Sequence, residues 1–126
     1  MITVGTDIID VSRIEKKREA ILKRVLVGDE CGYCLNSGNV NQTFAGHFAA
    51  KEAVYKALRV DNDNGISWKD IEISHRKSGS PYIILHNKAK QFAEINGLID
   101  IQISISHVKD FATATAVCDW KLGRGE

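Results

Sequence analysis

The stretch Phe44–Leu58, Phe-Ala-Gly-His-Phe-Ala-Ala-Lys-Glu-Ala-Val-Tyr-Lys-Ala-Leu, constrains this chain more than any other. It holds five alanines along with Lys, Glu and Leu, and no proline. These residues lose least on entering a helix. At about 100° per residue, Ala45, Ala49, Glu52, Lys56 and Arg59 share one broad face, with Phe48 beside them. The opposite side, Ala50, Ala53, Val54 and Ala57, is apolar as well. A helix apolar on nearly all sides is a buried one, so the other elements are expected to gather around it. Glu52 and Lys56 then stand on an element with little reason to face water. One reading is an ordinary i,i+4 ion pair on a solvent face, contributing about 0.2–0.5 kcal/mol. The other is a ligand-binding pair: Ala45 and Ala49 leave room for an approach to the backbone, and a buried carboxylate requires a metal or a cation. From the helix alone both readings stand.

A length of 126 residues suits one domain with a real core, so residues 1–126 are read as a single unit. Ile2–Ile9 alternates around β-branched residues, the pattern of a strand. Period two puts Ile2, Val4, Thr6 and Ile8 on one side and Thr3, Gly5, Asp7 and Ile9 on the other. The first, more apolar set is expected to face the core. Asp is disfavoured in strands, so Asp7 is either a strand-end residue bonded to a nearby backbone N–H or a metal-binding or acid–base carboxylate. Asp10 or Ser12 caps a helix starting near Val11. Between Arg13 and Arg24 six basic and two acidic residues leave a local charge of +4 on a chain of net +1. Such a surface is either a solvated helix face or one that steers acidic partners.

Downstream, Gly28–Tyr33 opens a short helix and Asn36–Thr43 reads as loop, with Thr43 as a cap for the central helix. Trp68–Ser74 and Tyr82–Leu85 read as a hairpin around the turn Lys77–Pro81. Asn87–Asn96 has helical spacing and stops at Gly97. Ile101–His107 and Phe111–Cys118 read as a second strand pair, followed by a charged tail, residues 119–126, expected to fray. This order predicts an α+β fold: a mostly antiparallel sheet packed against the long central helix.

Net charge +1 and a basic segment without aromatic residues argue against nucleic acid as a partner. No run of 18 apolar residues exists and the N-terminus reads as a strand, so the expectation is a cytoplasmic chain that engages no membrane. Cys31-Gly-Tyr-Cys34 lacks further ligands at zinc spacing and a preceding strand, so these are read as reduced cysteines. His107 ends a strand beside a turn, where a histidine is more often structural or exposed than catalytic. Composition and spacing by themselves reach a soluble α+β domain with two oddly placed carboxylates and a basic helix.

Four pieces together say more. Gly5-Thr-Asp7-Ile-Ile-Asp-Val-Ser-Arg13-Ile14-Glu15, Phe48-Ala-Ala-Lys-Glu52-Ala-Val-Tyr-Lys56-Ala-Leu58, Gly79-Ser-Pro81 and Ser104-Ile-Ser-His107 resemble the holo-acyl-carrier-protein synthases, a bacterial phosphopantetheinyl transferase family. Order and spacing match across nearly the whole chain, and Lys69-Asp-Ile-Glu72 and Val25-Leu26 followed by Glu30 add to the likeness. The resemblance implies transfer of 4′-phosphopantetheine from coenzyme A to a serine of apo-acyl carrier protein, with adenosine 3′,5′-bisphosphate as by-product. It implies Mg2+ held by Asp7 and Glu52, and Lys56 and His107 serving the diphosphate and the chemistry. Coenzyme A would also meet His47, Gly79 and Pro81, and the acidic carrier protein would dock on Arg13, Lys17 and Arg24. The family is usually a homotrimer with active sites at the subunit interfaces. An alternative is a catalytically impaired relative that only docks carrier protein.

The chain departs from the family pattern twice: His47 stands where arginine is common, and Arg59-Val60-Asp61 replaces a Gly-Thr-Gly-type loop. If His47 faces the 3′-phosphate of coenzyme A, its charge, and with it the affinity, falls as pH rises.

Overall fold

The protein was analysed as a computed structural model that describes residues 1–61 and 64–122. In chain order the elements are β1 (Ile2–Asp10), α1 (Val11–Lys16), α2 (Arg18–Val25), α3 (Glu30–Leu35), α4 (Val40–Leu58), a 3-10 turn (Trp68–Asp70), β2 (Ile71–His75), β3 (Pro81–Leu85), α5 (Asn87–Ile95), β4 (Leu98–His107) and β5 (Phe111–Trp120). β5 lies between β1 and β4, antiparallel to both, and β2 and β3 form a separate antiparallel hairpin. The α4 helix lies across the three-stranded sheet and contributes more of the core than any other element, with Phe44, Ala45, Ala49, Ala50, Ala53, Val54, Ala57 and Leu58 fully buried. This is the α+β arrangement expected from the sequence.

The phase of β1 is the reverse of the one its hydrophobic residues suggest. Thr3, Gly5 and Ile9 face the core, whereas Ile2, Val4 and Ile8 are 57%, 47% and 62% exposed. The cause is how closely α4 approaches. A Cβ on Gly5 would collide with the Ala53 carbonyl oxygen and lie 2.8 Å from the Ala57 amide nitrogen. Only glycine permits that contact. Beside it the Thr3 hydroxyl donates to the Ala57 carbonyl and accepts from Trp120 Nε1 at 2.8 Å. The inward residues of β5 are small as well, Ala112, Ala114, Ala116 and Cys118, until Trp120 closes the end of the layer. Helix and sheet meet through alanines and a glycine, so the bulky residues of β1 take the outer face.

Four boundaries differ from the sequence reading. α4 starts at Val40, within the stretch expected to be loop, and the Thr43 amide donates to the Asn39 carbonyl at 2.9 Å inside the helix rather than capping it. It ends at Arg59, whose left-handed backbone (φ 57°) closes the helix in a conformation glycine more often supplies. Trp68–Asp70 is helical rather than extended because Ser67 and Asp70 form a reciprocal capping box. β4 begins three residues early at Leu98, with a register shift between Leu98 and Asp100. Asp119 and Trp120 complete β5 instead of fraying: Trp120 is buried edge-on to Phe92, and its amide donates to the Met1 carbonyl at 2.9 Å. The rest of the expected tail, residues 123–126, lies outside the described residues. Asp10 caps α1 as expected, accepting from the Ser12 amide at 2.9 Å.

Gly5→Ala should destabilise the fold by about 3 kcal/mol, because the added methyl overpacks against immobile backbone. Urea unfolding measures this, and a loss below about 0.5 kcal/mol, ordinary for a surface change, would contradict the close contact.

Candidate active site

Two residues beyond Gly5, Asp7 is the next side chain of β1 on the helix-facing side. Its carboxylate is 15% exposed, and Oδ1 accepts from the Lys56 ammonium at 3.0 Å. The same ammonium donates to the Thr6 carbonyl at 2.9 Å. Asp7 Oδ2 is buried and has no hydrogen-bond partner. Glu52 stands one turn before Lys56 on α4, and its Oε1 accepts from the Trp68 indole at 2.8 Å. Trp68 in turn tilts against Phe48, with centroids 5.5 Å apart, one further turn back along the same stripe. A cleft of about 420 Å³ opens here, lined by Glu52, Tyr55, Ile66, Ser67, Trp68 and Ile71. Asp7 on β1 thus meets Lys56 on α4 beside the Gly5 contact, with Glu52 one helical turn before Lys56.

A second group forms around a smaller cavity of about 190 Å³, lined by His47, His75, Gly79, Pro81, Ile105 and His107, with Tyr33 and Thr43. His107 crosses the start of α4 above Gly46, and its Nδ1 pairs with Gln42 Oε1 at 3.0 Å. The expected partners His107, Gly79 and Pro81 therefore do meet, but in a cavity separate from the one that Glu52 lines. Arg13, Lys17 and Arg24 are exposed on α1, α2 and the break between them.

His47 lines this second cavity with Gly79, Pro81 and His107, but from a buried position. It is 1% exposed, with Nδ1 2.9 Å from Glu30 Oε1 and Nε2 3.1 Å from His75 Nε2. Both ring nitrogens are engaged inside the protein, leaving none to meet a phosphate directly. One turn on, Lys51 is buried completely. Its ammonium donates to Glu30 Oε2 at 2.8 Å, to the Trp68 carbonyl at 3.0 Å and to the Ile71 carbonyl. Glu30 Oε2 also accepts from the Val27 amide at 3.0 Å. One buried carboxylate therefore ties α3 to two successive turns of α4, and Lys51 extends the tie to the 3-10 turn and β2. Burial lowers the affinity of the Lys51 amine for its proton, and the Glu30 charge opposes that shift. Burial, reinforced by Glu30, pushes the Cys34 thiol up to about 12, so Cys34 is an inert thiol; Cys31 and Cys34 are both reduced, as read.

The sequence reading singled out none of Trp68, Lys51, His75 or Tyr33 as a site residue, and Glu30 only as part of a likeness. A charge amid Ala49, Ala50 and Ala53 is the one local signal for Lys51; its partners lie 17 to 21 residues away and leave no periodic trace.

Among the described residues no three His, Cys, Asp or Glu side chains converge as a metal-binding cluster. A hard cation such as Mg2+ is typically held by one or two carboxylates, with substrate phosphates and water completing its shell. Asp7, with one oxygen buried and unpartnered, and Glu52 beyond Lys56 are a donor set of that kind.

A family model described as the 4′-phosphopantetheinyl transferase superfamily matches residues 3–116. Over 122 residues the chain is 41% identical to a holo-[acyl-carrier-protein] synthase of Moorella thermoacetica, covering 94% of each. Its fold is similar to that of the Neisseria meningitidis holo-[acyl-carrier-protein] synthase, with TM-score 0.85 and 28% identity over 94% of this chain and 99% of that one. It is also similar to the Helicobacter pylori enzyme, solved in complex with coenzyme A, with TM-score 0.78 and 35% identity over 92% and 99%. The chain belongs to the 4′-phosphopantetheinyl transferase superfamily and, within it, to the holo-acyl-carrier-protein synthases. It is an enzyme of the phosphopantetheinyl transferase class.

Lys51→Met should cost about 3–5 kcal/mol, because it strands the Glu30 charge in the interior. Adding Glu30→Gln to it should recover part of that loss. Urea unfolding of both variants checks this, and a single variant as stable as the parent would show that Glu30 carries no buried charge.

Proposed function

We propose that this enzyme transfers 4′-phosphopantetheine from coenzyme A to a serine of an apo-acyl carrier protein, releasing adenosine 3′,5′-bisphosphate, with Mg2+ bound at Asp7 and Glu52. The observation that carries the reading is the buried, unpartnered Asp7 Oδ2 beside Lys56, one turn from Glu52. A carboxylate oxygen withdrawn from water without a donor calls for a cation. When bound there, magnesium supplies charge neutralisation on the diphosphate. Lys56, half exposed, adds a point charge at the same place. The serine oxygen attacks the phosphorus on the pantetheine side. The bond to the adenosine-bearing phosphate breaks, and the serine proton passes to a base. Gly79, Pro81 and His107 contribute contacts to coenzyme A from the second cavity, and His47 acts only through its neighbours. The complex of the Helicobacter pylori relative with coenzyme A supports this choice of co-substrate. So do the names of the relatives, which include a fatty acid synthase subunit alpha of Candida albicans, 41% identical over a match that covers 6% of that protein. The last of these names favours a carrier protein of fatty acid biosynthesis, and the reading places the enzyme in the cytoplasm. Among the described residues no helix is long and apolar enough to cross a membrane.

The assembly is a homotrimer in this reading. Ile2, Val4 and Ile8 on β1 and Phe111 on β5 form an exposed apolar face on the outer side of the sheet, where Val4 pairs with Val117 and Asp10 with Phe111. Packing that face against further copies removes it from water. Arg13, Lys17 and Arg24 form the docking surface for the acidic carrier protein.

The direct test is incubation with coenzyme A, Mg2+ and an apo-carrier protein, read as a gain in carrier mass of one phosphopantetheinyl group. Asp7→Asn and Glu52→Gln should each lower kcat/KM by about a hundredfold or more, the scale of losing an electrostatic stabiliser of the transition state, without loss of fold. Near-normal rates in both variants would remove the metal assignment, and no mass gain with the parent enzyme would remove the reading itself. Arg13→Ala should raise KM for the carrier protein more than for coenzyme A, with a salt-dependent effect. An equal rise for both substrates would place docking elsewhere.

A further inference from the structure

Glu52 and Lys56 stand one turn apart on α4, yet they do not pair. The Lys56 ammonium is taken by Asp7 Oδ1 and the Thr6 carbonyl. Glu52 Oε1 instead accepts from the Trp68 indole Nε1 at 2.8 Å. Among the described residues Glu52 has no other hydrogen-bond or ion-pair partner. Its carboxylate is thus oriented by a neutral donor and matched by no cation.

The donor is tied down at several points. Ser67 and Asp70 close the 3-10 turn with reciprocal bonds, the Ser67 amide donating to Asp70 Oδ2 at 3.0 Å. The Trp68 carbonyl accepts from the buried Lys51 ammonium at 3.0 Å, and that ammonium is itself fixed on Glu30 Oε2 at 2.8 Å. The Trp68 ring tilts against Phe48, with centroids 5.5 Å apart. Phe48, Lys51 and Glu52 are helix neighbours at i, i+3 and i+4. One side of α4 therefore holds Trp68 by its ring, its carbonyl and its N–H, although the residue is 39% exposed.

What this does for Glu52 follows from the chemistry of the donor. An indole carries one N–H and no acceptor. It fixes one carboxylate oxygen but leaves the charge of the group in place. An ammonium at the same position would compete with any bound cation. With Oε1 on the indole, Oε2 remains for an ion. Glu52 and Trp68 line the same cleft, so the bond lies where an incoming cation meets the carboxylate. Hydrogen bonds that orient metal-binding groups typically change metal affinity or activity by about 10–100-fold.

We propose that Trp68 is a positioning residue for the cation site: its indole N–H holds Glu52 Oε1 and presents Oε2 to the ion with the charge intact. This rests on the assignment of the cation to Asp7 and Glu52 made above. Trp68 touches neither the ion nor the reacting atoms; it acts through Glu52.

The test measures metal binding apart from turnover. Mn2+ titrations in the presence of coenzyme A, read by electron paramagnetic resonance, compare the parent, Trp68→Phe and Glu52→Gln. Trp68→Phe keeps a ring against Phe48 and the backbone carbonyl for Lys51, and loses only the donor. It should bind Mn2+ about tenfold more weakly, with its urea unfolding midpoint unchanged. Raising Mg2+ should return its kcat towards that of the parent, which damage to the fold would not allow. The chain has two tryptophans, and Trp120 is buried with its indole on the Thr3 hydroxyl, so 1H–15N spectra carry two indole signals. With coenzyme A present, Mg2+ should shift the Trp68 signal and leave that of Trp120 in place. Glu52→Gln should displace the Trp68 signal and abolish its response to Mg2+. A Trp68→Phe variant that binds Mn2+ as tightly as the parent, or a Trp68 signal untouched by Glu52→Gln, would overturn the proposal. The spectra decide the matter on their own should the Phe variant fail to fold. Mn2+ binding that is the same in Glu52→Gln as in the parent would instead overturn the cation assignment, and the proposal with it.

Discussion

Everything at the candidate site depends on the absence of one side chain atom. Because Gly5 has no Cβ, the backbone of α4 sits against β1 at Ala53 and Ala57. That contact sets the depth of the helix, and the depth decides which face of β1 is inward. It carries Asp7 to the Lys56 ammonium and leaves Asp7 Oδ2 buried without a donor. The same contact turns Ile2, Val4 and Ile8 outward, producing the apolar sheet face that the trimer reading uses. The candidate site and the exposed apolar face are two consequences of one close packing.

The central helix carries two kinds of charge that look alike in sequence. Glu52 and Lys56 lie on the stripe that opens to a cleft, whereas His47 and Lys51 lie on a stripe sealed against α3 and β2. Glu30 compensates the sealed pair with both of its oxygens. This division gives the helix separate tasks along its length. Buried polar contacts hold neighbouring elements in place, and half-exposed carboxylate and ammonium groups remain available to a ligand. A buried pair of this kind is costly to break but adds little net stability over an apolar pair, so its contribution here is to hold α3, β2 and the 3-10 turn in register with the site.

Much of this was legible in the residues. Alanine content and the absence of proline located α4, period two located β1, β4 and β5, and the motif likeness singled out Asp7, Glu52 and Lys56, of which Asp7 and Lys56 are in contact. The inward face of β1 was not legible, because counting apolar residues favours Ile2, Val4 and Ile8, while the deciding factor is backbone proximity at a glycine. The start of α4 was hidden by Asn36–Thr43, whose polar composition reads as loop although Val40–Thr43 is helical. The fate of Asp119 and Trp120 depended on pairing with the first residue of the chain. The partners of His47 were not legible, because nothing in its own neighbourhood names Glu30 or His75, 17 and 28 residues away. Long-range polar partners are the part of a site that local pattern does not encode.

The central claim is that Asp7 and Glu52 form one cation site across the β1–α4 contact. Crystals grown with coenzyme A and Mn2+, an ion suited to the same carboxylate oxygens as Mg2+, test it by anomalous scattering. The account predicts one strong peak bonded to Asp7 Oδ2 and to a Glu52 oxygen, beside Lys56. No peak there, or a peak held by other residues with Asp7 Oδ2 still unpartnered, would contradict it.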